Sequence, residues 1–132
     1  MTKRNKIIYW IATIWLSLGM LSTGVVQLLK LEQEVDLFVR LGYPIYFLTI
    51  LGVWKLLGVV TILLPDGSHV LLNLAKEWAY AGFFFSMSGA MFSHIAIGDS
   101  VKDLFGPSLL LILTLVSWCF RPAGRKINFT NA

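Results

Sequence analysis

The chain has a single cysteine, Cys119, among 132 residues, so no intrachain disulfide can form. It has two histidines, His69 and His94, and no His, Cys or carboxylate cluster with ligand spacing, so the sequence calls for no metal and no cofactor. Charge is scarce as well. Asp, Glu, Lys and Arg make up 14% of the chain, against about 25% in an ordinary soluble domain. A soluble protein of this size would lack the polar residues to cover its surface. Internal repeats and low-complexity linkers are absent. The glycine-flanked "GFFFSMSG" lacks the lysine and the preceding strand of a phosphate loop.

In place of charge there are long apolar runs. Hydrophobic residues make up 57% of the chain, and a spanning helix needs about 20 of them in succession, within a range of about 17–25. Four segments qualify, at about 7–29, 44–64, 78–97 and 104–120. The first, "IIYWIATIWLSLGMLSTGVVQLL", exceeds the apolar core of a signal peptide, about 7–15 residues, and is expected to be a retained span. Open sheets cannot cross lipid, so all four are expected to be helices. The expectation is an all-α, integral-membrane, four-helix transmembrane bundle forming one domain over 1–132, with the lipid bilayer as its surroundings.

The connections are short. "KLEQEVDLFVRLG" is ambiguous between a short interfacial helix and an extended piece. Pro44 is placed to start the second span and Pro107 falls in the first turn of the fourth, positions where proline is tolerated. Pro65-Asp66-Gly67 signals a turn.

Basic residues crowd both ends: Lys3, Arg4 and Lys6, then Arg121, Arg125 and Lys126. Each cluster abuts an apolar run, which fits membrane orientation better than nucleic-acid binding. Four spans put both termini on one side. That side then holds seven basic residues, counting Lys76, and the other holds Lys30, Arg40 and Lys102. The positive-inside rule therefore predicts cytoplasmic termini.

Lys55 sits inside the second apolar run. A lysine at mid-membrane costs about 2.5–3.5 kcal/mol on insertion scales. It is expected to pair within the bundle and fix helix register, to meet a ligand, or to snorkel with no role. Glu77, at the expected start of the third span, supports the helix dipole there, and pairs with Lys55 only if the helices stagger. His94 lies in the outer third of that span, as a hydrogen-bonded histidine or as a ligand or proton-relay contact. Trp54 and Trp78 complete the candidate ligand-binding set of Lys55, Glu77, His94, Trp54 and Trp78. Gly52 and Gly58 flank Lys55 and remove bulk around it.

"LGYPIYFLTILGVWKLLGVVTILLP" and "AKEWAYAGFFFSMSGAMFSHIAIGD" carry a resemblance. With Gly42-Tyr43-Pro44, Lys55, Pro65, the "KEWAYAG" run, His94 and Gly98-Asp99, the chain resembles the DoxX-like family of small bacterial membrane proteins. The likeness runs from about Leu41 to Pro122, and more loosely over the first span. It implies a four-helix protein of the bacterial inner membrane, with Lys55, Glu77, Trp78, His94 and Asp99 as marking positions. The wider group includes a subunit linked to thiosulfate:quinone oxidoreduction and members tied to redox stress. With one cysteine, a dithiol relay is excluded here. The function expected first is binding of a small lipophilic or quinone-like molecule, or an accessory role beside a partner subunit of a membrane redox complex; a homodimer is the other assembly considered. The alternative is a small membrane oxidoreductase or isomerase using Lys55 and His94 as acid/base groups.

Overall fold

The computed structural model describes residues 2–65 and 70–122. The turn read at Pro65-Asp66-Gly67, His69 and the basic pair Arg125 and Lys126 therefore lie wholly or partly outside the described residues. Among the described residues the chain is all α, with no strand. Its helices are α1 (Lys3–Leu28), α2 (Glu32–Leu41), α3 (Tyr46–Leu63), α4 (Val70–Ala96) and α5 (Val101–Cys119).

Five helices stand where four are expected from the apolar runs. The additional one is α2, formed by the connection whose pattern is ambiguous. Glu34, Leu37, Phe38 and Leu41 fall at helical spacing on one face. Glu32 and Glu34 lie in its first turn and Arg40 in its last, which suits the helix dipole. Left-handed residues bound it on both sides, Lys30 at φ 52° and Gly42 at φ 87°. Gly42 is the C-cap, a backbone position that glycine takes without steric cost.

Among the described residues, three helices are long and apolar enough to cross a membrane: α1, α3 and α5. The fourth long helix, α4, starts well before the span expected from Trp78 and so takes in Asn73, Lys76 and Glu77. Pro44 precedes α3 rather than starting it, and its carbonyl accepts from the Phe47 amide at 3.1 Å; Pro107 lies inside α5, past its first turn, because that helix begins at Val101.

The four long helices form a ring in the order α1, α3, α4, α5, with α5 closing on α1. Each neighbouring pair runs antiparallel, as specific contacts show. On α1 and α5, Thr13 bonds Ser117 at 2.6 Å, and Gly19 packs under Leu110. On α3 and α4, Gly58 lies against the Phe83 ring, and the buried Lys76 donates from Nζ to the Leu64 carbonyl at 2.5 Å. On α4 and α5, Tyr80 bonds Ser117 at 2.7 Å, and Met91 meets Ser108.

The polarity is inside-out relative to a soluble protein. Thr13, Ser17, Gln27, Ser93, Thr114 and Ser117 are buried, while Ile11, Ile14, Trp15, Leu18, Trp54, Leu57, Val60 and Phe92 are exposed. Helices in lipid gain nothing by hiding leucine from an apolar solvent, so small and hydrogen-bonding residues take the interfaces. A core of Leu16, Met20, Val59, Ile62, Tyr80, Phe83, Met87 and Leu113 fills the half nearer the termini. The half nearer α2 is not filled.

Candidate functional site

The unfilled half is a cavity of about 540 Å³. Thr23 and Gln27 of α1, Lys55 and Trp54 of α3, His94 of α4 and Pro107 of α5 line it. Glu34, Leu37, Phe38 and Leu41 of α2 contribute a further wall. The volume lies within the roughly 300–1,000 Å³ usual for small-molecule sites, and its mainly apolar wall with a few polar groups has their usual character.

Lys55 reaches this cavity because α1 and α3 approach closely. A Cβ on Gly24 would stand 3.2 Å from the Lys55 Cβ, so the glycine makes room for the lysine's stem. Lys55 is 7% exposed. Its Nζ donates to Thr23 Oγ1 at 3.3 Å. The Thr23 hydroxyl donates in turn to the Gly19 carbonyl at 3.0 Å, which leaves its lone pairs for the lysine. An ammonium has three protons. Among the described residues Lys55 has no carboxylate within ion-pair distance and no second hydrogen-bond partner. Glu34 and Asp103 are the carboxylates on the cavity wall.

The far end of the cavity is polar too. Gly98 ends α4 in the left-handed region, at φ 80°. The chain folds back there, and the Asp99 amide donates to the His94 carbonyl at 2.9 Å. This puts the Asp99 carboxylate on the His94 ring, with Nδ1 to Oδ2 at 2.5 Å. The other Asp99 oxygen takes the Arg40 guanidinium, which ties α2 to the α4–α5 turn. The His94 ring, and then Arg40, hold the Asp99 carboxyl below the usual carboxylate range. Tyr43 and Ser93 bond each other beside this cluster, at 2.5 Å.

The register of α3 on α4 separates the two polar ends. Gly58 lies against Phe83, so Lys55 is level with about residue 86. His94 lies eight residues further on, roughly 12 Å along the axis at 1.5 Å per residue.

Of the sequence-predicted residues, Lys55, His94 and Trp54 line this one cavity. Trp78 is exposed and lines a second cavity, of about 560 Å³, which shares Lys55 and Trp54 with the first. Glu77 stands apart, in the third turn of α4 rather than at its start. Its carboxylate takes Arg121 and accepts from Trp118 Nε1 at 2.8 Å, and the Arg121 guanidinium lies over the Trp118 ring. Thr23, Gln27 and Glu34 line the cavity without standing out in the sequence as site residues. Thr23 and Gln27 are four apart on one face of α1, so a polar stripe opposite the exposed leucines and isoleucines is the signal that could have found them. Among the described residues, no group of three His, Cys, Asp or Glu is placed to hold a metal ion.

Residues 11–117 match the family model described as the DoxX-like family. No curated protein and no solved structure matches the chain at a significant level.

Proposed function

The chain belongs to the DoxX-like family, and from that premise we propose that it is a membrane protein that holds a small lipophilic molecule in the cavity beside Lys55. The observation that carries this is the state of Lys55. It is buried, it lines an apolar cavity, and its one described partner is a hydroxyl. A lysine that served only to fix register would be met by a carboxylate, and Glu77 is engaged elsewhere with Arg121. A carbonyl or anionic group on a ligand supplies the missing acceptors. A quinone-like head is one chemistry of this kind.

In this reading the chain sits in the bacterial inner membrane with both termini cytoplasmic. The excess of lysine and arginine at the two ends supports that orientation. We include α4 as the fourth span. Its 27 residues reach about 40 Å, and it runs antiparallel between two helices that are themselves long and apolar enough to cross.

The second reading is an oxidoreductase or isomerase with Lys55 and His94 as its acid/base groups. Asp99 orienting the His94 ring favours it. The axial separation weighs against it, since the two groups do not converge on one reacting atom. A substrate would have to reach both ends of the cavity.

The test compares wild type with Lys55→Met, purified in detergent, by native mass spectrometry and thermal unfolding. The expected result is loss of a co-purifying lipophilic molecule from a variant that remains folded. Unchanged cargo with a lower melting temperature would make Lys55 a structural cation and overturn the proposal.

A further inference from the structure

Beside the incompletely paired Lys55, the same wall holds a buried oxygen with no partner. Gln27 is 5% exposed, and its Oε1 has no hydrogen-bond partner among the described residues. Of the residues with a buried side-chain atom in that state, Gln27 is the one that lines the cavity. Gln27 stands one turn of α1 from Thr23, the residue that meets the Lys55 ammonium. The amide and the ammonium therefore share one wall, roughly 6 Å apart along α1 at 1.5 Å per residue. A buried amide without a partner is costly, and a lysine with one hydroxyl partner is incompletely satisfied.

Resting on the ligand-site reading of this cavity, we propose that the molecule it holds is an amphiphile whose head carries two neighbouring groups. One is a carbonyl or carboxylate oxygen, for Lys55. The other is a hydroxyl, for Gln27. A hydroxyl donates, so it satisfies the Gln27 Oε1. A plain fatty acid fills the apolar wall and meets Lys55, but its ionised carboxylate has no proton to give to Gln27 Oε1. The tail lies along Phe47, Leu51, Phe85 and Leu110.

The test is a competition. The full chain is mixed with equal amounts of decanoic acid and 3-hydroxydecanoic acid, and the bound species are counted by native mass spectrometry. Wild type should favour the hydroxy acid by about tenfold, the effect of one net hydrogen bond. In Gln27→Leu and in the closer isostere Gln27→Met the preference should fall to about one, while decanoic acid still binds. Equal occupancy in wild type, a preference that survives in both variants, or binding of neither acid would overturn the assignment. The underlying reading fails separately. If Lys55→Met holds decanoic acid as well as wild type does, Lys55 is not the contact. If that variant loses it and wild type shows no hydroxyl preference, only the inference about Gln27 falls.

Discussion

Gly52→Ala tests the closest helix approach behind the site. A Cβ at this position would come to 2.6 Å from Leu28 Cγ and 2.9 Å from the Gly24 carbonyl oxygen. The first contact is with the branch point of a side chain and the second with backbone, so neither is relieved by turning a flexible end. The two helices must separate by several tenths of an ångström, and with them the Thr23–Lys55 contact. Overpacking of this kind costs about 1–3 kcal/mol. Alanine returns up to about 1 kcal/mol in helix propensity. The net expectation is a loss of roughly 0–2 kcal/mol. Gly82→Ala is the matched control, because a Cβ there meets nothing within 4 Å, and it should be neutral or stabilise by up to about 1 kcal/mol. The assay is reversible unfolding of both variants in mixed micelles with rising SDS, followed by far-UV circular dichroism. If Gly52→Ala is as stable as Gly82→Ala, α1 and α3 do not approach as closely as Gly24 and Gly52 imply.

The remaining predictions concern the two ends of the molecule. Asp99 has a depressed folded pKa, held mainly by His94, against an unfolded value of about 3.9. Its stabilising contribution should therefore be complete above about pH 4 and be lost as pH falls through the lower folded value. An acid titration of unfolding stability should show this limb in wild type and lack it in Asp99→Asn. Glu77→Gln should cost about 1–2 kcal/mol by weakening the contacts to Arg121 and Trp118, and should leave the co-purifying molecule in place. Loss of that molecule would put Glu77 in the site. Cys119, the chain's one cysteine, is exposed at the end of α5. A membrane-impermeant maleimide should label it in inside-out vesicles and not in right-side-out ones; the reverse pattern would place both termini outside the cytoplasm.

The sequence by itself determined that the chain is all α and suited to a membrane. Run length and apolarity are local properties that compare directly with bilayer thickness. The same locality made Lys55 conspicuous, because a cation in an apolar run is visible without knowing any neighbour. It also carried the family through its polar and glycine positions. Short segments were less legible. Ten residues of α2 gave too few periods to separate helix from extended chain, and its amphipathic face became meaningful only opposite a cavity. Tertiary structure alone decided which groups meet. Glu77 and Lys55 are both conspicuous in the sequence, yet Glu77 bonds to Arg121 at the terminal end while Lys55 faces Thr23 beside the cavity. Lys76, a connection charge by its place in the sequence, is buried against the Leu64 carbonyl. Those pairings depend on helix order, rotation and register, set by many small contacts such as Gly24 on Lys55 and Gly58 on Phe83. Each contact joins residues distant in the chain, so no local pattern reveals it.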